Sequence, residues 1–454
     1  MAKVLIIGGG PGGYEAALVA RQLGADVTIV DRDGLGGSAV LTDVVPSKGL
    51  ISVAEVLTRF RESGTLGIDT AAPVTADLAE INNRLLRLAD QQSADIKQRL
   101  QRDGIEVIQG TAHLLSDTEV QISANNQSYS QTADIILIAT GARPRELDSA
   151  KPDGVRILTW EQLYSLSEMP QRLVVVGSGV TGAEFASAYH ALGANVVLVS
   201  SRDTVLPGED TDAAKVIQDV FVRRGIEVVS QARAQSVSVV GDQVHVSLAD
   251  GRVVTGSHCL MAVGSLPNVE SLGLENAGIQ LNDRGFIDVD RVSRTSARGV
   301  YAAGDCTGVL MLASTAAMQG RIAMWHALGD AVNPLNLANV SSNVFTDPEI
   351  ATVGVTQSQV DSGEIEASVV MLPLKTNARA KMQEIEDGFI KLFCLPSNHT
   401  VLGGVVVAPR ASELIYSVAL AVTHRLTAED LAATFTVYPS LSGSIAEAAR
   451  RLHR

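Results

Sequence analysis

The sequence predicts an α/β protein: two units of doubly wound parallel sheet, followed by a smaller α+β domain. Three observations carry that reading. A strand, glycine turn, helix and second strand occur twice with the same internal spacing. Their strands are near-continuous apolar runs, as expected where helices cover both faces of a parallel sheet. Beyond residue 338 the glycine turns stop and alternating segments take over.

The first copy runs from Val4-Leu5-Ile6-Ile7 through Gly8-Gly9-Gly10-Pro11-Gly12-Gly13 into an alanine-rich helix, and closes on Val27-Thr28-Ile29-Val30-Asp31. The second runs from Leu173-Val174-Val175-Val176 through Gly177-Ser178-Gly179-Val180-Thr181-Gly182 into a helix, and closes on Val196-Val197-Leu198-Val199-Ser200. Gly8 to Asp31 and Gly177 to Ser200 are equally spaced. Each copy reads as a Rossmann-like βαβ unit. In such a unit the first glycine (Gly8, Gly177) makes a tight turn and the second (Gly10, Gly179) lets backbone approach a pyrophosphate. The third (Gly13, Gly182) lets helix and strand pack, and the helix N-terminus faces the negative charge. Two such units point to two bound dinucleotides.

Between the copies, residues 74–102 carry a helical pattern (Leu78, Ile81, Leu85, Leu88, Ile96, Leu100) stopped by Asp103-Gly104. Residues 134–141 read as a buried strand ending in Ala139-Thr140-Gly141, and 259–263 as another that enters Gly264-Ser265-Leu266-Pro267-Asn268. Residues 299–305 form a strand ending on Asp305. Near the C-terminal end, 401–407 is a β segment, and 411–424 and 427–433 are helical patterns. These breaks assign 1–149 and 271–337 to the first dinucleotide domain, 150–270 to the second and 338–454 to the third.

Composition narrows the function. The 454 residues carry 36 Lys+Arg against 50 Asp+Glu, a net charge of −14, which argues against a nucleic-acid partner. With 46% hydrophobic and 19% charged residues, the chain is globular rather than disordered. Three scattered cysteines give neither a disulfide framework nor zinc spacing, and no histidine stands at metal-ligand spacing. No apolar run reaches the roughly 18 residues of an integral membrane segment. The opening residues read as a strand rather than a signal peptide, so a cytoplasmic, reducing setting is expected.

The two units, Ala139-Thr140-Gly141, Gly264-Ser265-Leu266-Pro267-Asn268, Ala302-Ala303-Gly304-Asp305 and Phe345-Thr346-Asp347-Pro348-Glu349 together resemble the pyridine nucleotide–disulfide oxidoreductases over nearly the whole chain. The resemblance implies FAD at the first unit, NADPH or NADH at the second, and a homodimer made by the third domain. It places FAD against Gly8, Gly10, Gly13 and Gly37, its ribose at Asp31 and its ribityl chain at Asp305. Lys48, Ala112, Thr140, Gly141, Leu312 and Ala313 complete the implied FAD contacts. The nicotinamide dinucleotide is implied at Gly177, Gly179 and Gly182, with Ser200, Ser201, Arg202 and Gly264.

Departures from the family pattern bear on the reaction. Where the family reads GGTCLNVGCIPSK, this chain reads Gly36-Gly37-Ser38-Ala39-Val40-Leu41-Thr42-Asp43-Val44-Val45-Pro46-Ser47-Lys48. Ala39 and Val44 stand at the two redox cysteines, and neither supplies a thiolate. In the C-terminal HPTxSE-like segment, Tyr438 and Gly443 stand for the family's acid–base histidine and glutamate. The thiol half-reaction is therefore expected to be absent. Lys48 and Glu184 match the family's ion pair near the flavin, so the nicotinamide half-reaction is expected to remain. The same pattern resembles the quinone-reducing actinobacterial members of the family, which implies a quinone as acceptor. Tyr438 is either a hydrogen-bond donor to that quinone or filler for the space of the lost histidine. A soluble transhydrogenase and a non-catalytic flavin-binding module are the alternative readings.

The second copy ends on Ser200-Ser201-Arg202 where an NAD-specific unit places an acid. Nothing there repels a 2′-phosphate, and Arg202 with two hydroxyls could hold one. Both NADPH and NADH are expected to serve.

Overall fold

A computed structural model describes residues 1–68 and 74–452 of the chain. Its first sheet is parallel throughout, with strands in the spatial order Val300–Ala302, Ile135–Ile138, Lys3–Ile7, Asp26–Asp31, Glu106–Gln109. The four apolar residues after Lys3 are all buried, as a two-sided cover requires. Helices α1 (Pro11–Gln22), α2 (Gly37–Leu41), α3 (Val44–Glu62) and α4 (Leu78–Arg102) connect these strands. Helix α4 starts at Leu78 rather than at residue 74, because the Asp77 carboxylate accepts from the Glu80 amide and caps it.

The second sheet repeats the plan, in the order Glu227–Val229, Asn195–Val199, Arg172–Val176, His258–Met261, Ile157–Leu158, again all parallel. Its helices are α5 (Val180–Leu192) and α6 (Thr211–Arg224). The strand expected at 259–263 lies one to two residues earlier, since beyond Met261 the chain leaves the sheet for a hinge. That hinge is an antiparallel ribbon of Ala142–Pro144 with Ser265–Pro267, where the chain passes out to the second unit and returns. Each unit also carries a three-stranded antiparallel meander, Thr111–Leu114 to Gln127–Thr132 in the first and Ala234–Val240 to Val253–Gly256 in the second.

After the return, α7 (Ala313–Ala327) packs on α1 so closely that a Cβ on Gly320 would lie 2.1 Å from the Gly12 carbonyl oxygen. The third domain is an antiparallel sheet ordered Ser341–Val344, Glu349–Gly354, Val401–Ala408, Phe389–Cys394, Ser368–Pro373. Helices Ala411–His424, Ala428–Ala433 and Gly443–Leu452 accompany it.

One buried cluster runs through all three parts. Leu50, Ile51 and Leu57 of α3 join Phe185 and Tyr189 of α5 and Val344, Ile350 and Phe393 of the third sheet. A buried cation adds a second tie. Lys391 meets Asp210 at 2.7 Å and Asp212 at 2.6 Å, and Asp210 also caps α6. Removing one partner of such a pair strands a buried charge, so the third domain is held in fixed register against the second unit.

Candidate active site

The fingerprint glycines divide into two kinds. A Cβ on Gly8 would lie 2.3 Å from the Ala139 carbonyl oxygen, and one on Gly13 only 1.9 Å from that of Gly8. The second unit repeats this, with 2.1 Å from Gly177 to Ala262 and 1.8 Å from Gly182 to Gly177. These four positions are glycine because the protein's own backbone leaves no room. The middle glycines differ: a Cβ on Gly10 would meet nothing nearer than the Gly37 Cα at 4.0 Å, and one on Gly179 would meet nothing within 4 Å. Both middle glycines face open space at the N-termini of α1 and α5. Such a cradle of amides at a helix start fits a pyrophosphate, so the residues present suit FAD in the first unit and a nicotinamide dinucleotide in the second.

Around the first cradle, the Gly36 amide donates to the Gly9 carbonyl at 2.8 Å, and Gly37 lies directly over Gly10. Asp31 ends the second strand and accepts from the amides of Gly9 at 2.6 Å, Asp33 at 2.9 Å and Gly34 at 2.6 Å. Beyond it opens a cleft of about 480 Å³ lined by Arg32, Gly110, Thr111 and the turn at 125–128. Arg32 was not singled out in the sequence, although its place after Asp31 puts a cation at this cleft. Ala112 packs inward on the core of the first unit, so any contact it offers is through backbone. Leu312 and Ala313 form the N-terminus of α7.

Thr140 and Ser200 differ from expectation. The Thr140 hydroxyl donates to the Asn268 carbonyl at 2.6 Å, and the Asn268 amide returns a bond to the Thr140 carbonyl at 3.0 Å, so this side chain latches the hinge. Gly141 and Gly264 keep open space around them, both with positive φ. Ser200 is fully buried. Its hydroxyl pairs with that of Ser178 at 2.7 Å and accepts from the Arg202 amide at 3.1 Å, which organises the loop from within rather than offering an oxygen to a ribose. The exposed cleft there, about 600 Å³, is lined by Ser201, Arg202, Asp203, Thr204, Pro207 and Gly208. Asp203 is a further residue the sequence reading passed over, and it accepts from the Gln231 side-chain amide at 2.8 Å.

The three parts of the molecule meet at one carboxylate. Helix α3 places Pro46 in its first turn, where no amide donor is needed, and presents Lys48 from its N-terminal end. Lys48 Nζ lies 2.7 Å from Glu184 Oε2 of α5, and Glu184 Oε1 accepts from the Phe345 amide of the third domain at 2.8 Å. The Lys48 ammonium also sits 5.0 Å from the centroid of the Phe345 ring. Glu184 is nearly inaccessible at 5% side-chain exposure, whereas Lys48 keeps 27%. The pair is thus anchored on the acid and open on the cation.

Two further acids face this region. Burial raises the Asp43 carboxyl above the usual range; Lys48 opposes that shift, while Glu184 and Glu161 add to it. Asp305 is pushed up to about 6, first by burial and then by the charge of Asp43. Ala39 and Val44 lie half-buried on α2 and α3. No thiol takes their place: Cys259, Cys306 and Cys394 are all fully buried, and burial pushes them up to about 12, 11 and 12. Tyr438 is 85% exposed in the single chain, close in sequence to the exposed Phe435 and Val437. Gly443 opens the last helix.

Residues 2–320 match the pyridine nucleotide-disulphide oxidoreductase family, and 340–449 match the dimerisation domain of that family. The chain belongs to this family. It is accordingly an oxidoreductase of a family that uses FAD and NAD(P)H. An NAD(P)H dehydrogenase (quinone) of Mycobacterium tuberculosis is 53% identical over 99% of this chain and 94% of its own length. A dihydrolipoyl dehydrogenase of Geobacillus stearothermophilus is 32% identical over 98% and 95%. Among solved structures, LpdA from M. tuberculosis superposes with a TM-score of 0.96 at 53% identity, covering all of both chains. The HOCl-induced flavoprotein disulfide reductase RclA from Escherichia coli gives 0.87 at 25% identity, covering 99% of each. Among the described residues, no helix is long and apolar enough to cross a membrane, and no group of side chains is arranged to hold a metal ion.

Proposed function

We propose that the chain is an FAD-dependent NAD(P)H:quinone oxidoreductase without disulfide reductase activity. One observation carries the reading: Lys48 and Glu184 form their pair intact, while Ala39 and Val44 stand where a redox disulfide would need thiols and every cysteine is buried away. The 53% identity to a protein named NAD(P)H dehydrogenase (quinone) supports a quinone as acceptor. FAD, when bound, accepts the hydride of the nicotinamide and passes two electrons on.

The chain's residues have distinct tasks. Residues 1–149 and 271–337 hold FAD, with Gly10 and the start of α1 at the pyrophosphate, Asp31 at the ribose, and Asp305 and the start of α7 at the ribityl side. Residues 150–270 hold NADPH or NADH, with Gly179 at the pyrophosphate and Arg202 at the ribose. Lys48, fixed by Glu184, supplies a preorganised cation where negative charge builds up during reduction. Residues 338–454 make a homodimer, which supports Tyr438 reaching the partner's acceptor side as a hydrogen-bond donor. The assignment implies a cytoplasmic enzyme.

The test is NADPH and NADH oxidation by purified protein with menadione, lipoamide, glutathione disulfide, NAD⁺ or no acceptor. Turnover with menadione alone is expected. Turnover with NAD⁺ in place of menadione would favour a transhydrogenase, and no turnover with any acceptor would favour a flavin-binding module.

A further inference from the structure

Asp43 lies outside the Lys48–Glu184 pair and outside the cofactor cradles. It occupies the position before α3 where an aspartate ordinarily caps the helix, yet its side chain bonds to none of the helix amides. Its carboxyl makes no hydrogen bond among the described residues, although it is half-buried. The charged groups facing it come from four elements: Lys48 of α3, Glu184 of α5, Glu161 of the turn Trp160–Ser165 and Asp305 of the turn Asp305–Thr307. Tyr164, buried, faces it as well. Each other acid in the group already has a place. Glu184 is held by Lys48 and Phe345, Glu161 accepts from the Thr42 hydroxyl at 3.1 Å, and Asp305 is assigned to the cofactor. Asp43 directly precedes Val44, the residue that stands where the family has its second redox cysteine.

We propose that Asp43 is the catalytic acid of quinone reduction. The proposal rests on the quinone reading above. A quinone becomes a hydroquinone by gaining two electrons and two protons. The nicotinamide hydride carries both electrons and one proton, so one proton remains to be found. The carboxyl O–H of Asp43 breaks, an O–H bond forms on the quinone oxygen, and water reprotonates the carboxylate left behind. Burial, together with the charges of Glu184 and Glu161, keeps the proton on Asp43 to higher pH than an ordinary carboxyl would hold it. A general acid is the better populated the more firmly its carboxyl holds the proton.

The test uses Asp43→Asn holoenzyme, which keeps the shape and removes the acid. Reduced enzyme is mixed anaerobically with menadione, which needs protons, or ferricyanide, which takes electrons alone. The variant should slow the menadione step by roughly a hundredfold or more and the ferricyanide step far less. The menadione rate of the unaltered enzyme should fall as pH rises through the Asp43 titration, and the variant should lose that limb. A readout independent of turnover is the infrared difference between the unaltered protein and the variant: one protonated-carboxyl contribution present at mildly acidic pH should be missing from the variant, while that of Asp305 remains. Equal slowing with both acceptors, unchanged menadione reduction, or a carboxyl band of undiminished intensity in the variant would overturn the assignment. If the unaltered enzyme reduces ferricyanide but not menadione, the quinone reading fails and the acid's role falls with it.

Discussion

The two dinucleotide units crowd their glycine turns in the same pattern and part company at one strand end. In both, the outer glycines are crowded by backbone at about 2 Å and the middle glycine faces open space. At the end of the second strand, Asp31 holds two amides of its own turn and that of Gly9 in the glycine loop, while the equivalent Ser200 holds the Arg202 amide and the Ser178 hydroxyl. Both side chains fold their own loop by accepting from the amide two residues ahead. A carboxylate has two oxygens and lone pairs left over for a ribose; a single buried hydroxyl has none. The first unit therefore builds its loop with a residue that keeps acceptor capacity to spare. In the second, the side chains left exposed at this strand end are Ser201, Arg202 and Asp203.

The largest test separates packing glycines from cradle glycines. Gly13→Val and Gly182→Val should each destabilise by roughly 3 kcal/mol or more, because a side chain would overlap a backbone carbonyl that cannot move away. Gly10→Val and Gly179→Val should leave apoprotein stability within about 1 kcal/mol, yet the first should abolish FAD retention and the second NAD(P)H binding. Urea unfolding of apoprotein and flavin content on purification distinguish the pairs.

Asp305 belongs to the first unit alone, and its pKa predicts a pH effect of definite sign. Folding raises this carboxyl from 3.8 to about 6, so the folded state binds its proton more tightly. The stability linked to that proton is complete below the ordinary value and lost as pH rises through about 6, at most about 3 kcal/mol. Apoprotein carrying Asp305→Asn should therefore be the more stable form at alkaline pH and gain little in acid, while FAD affinity falls. A stability difference independent of pH would contradict the assignment.

A smaller effect sharpens the contrast between strand ends. Ser200→Asp restores a carboxylate in the second unit and should raise the KM for NADPH about tenfold relative to NADH, through repulsion of the 2′-phosphate. Arg202→Ala should act in the same direction by a few-fold. Least of all, Thr140→Val removes one hinge bond and should cost about 1 kcal/mol, seen as a small drop in unfolding midpoint with unchanged cofactor selectivity.

Much of this was legible in the sequence because its signals are local. Glycine spacing and unbroken apolar runs report βαβ units directly, and Lys48 and Glu184 stood out by motif. What was not legible depends on partners distant in the chain. Ser200 reads as an exposed loop hydroxyl until Ser178 is placed against it, and Thr140 reads as a ligand contact until the ribbon brings Asn268 back. The Phe345 amide on Glu184 carries no side-chain signature at all. Asp43 was masked differently, since comparison with the family drew attention to the two missing cysteines rather than to the acid beside them.

The central claim is that this fold retains the nicotinamide–flavin half of its family's chemistry and lacks the thiol half. Anaerobic reductive titration of the purified holoenzyme tests it most directly. A flavin with no disulfide beside it takes two electrons per FAD, with no thiolate-to-flavin charge-transfer band. Uptake of four electrons per FAD, with that band appearing after the first two, would show a second two-electron couple in the protein and contradict the account.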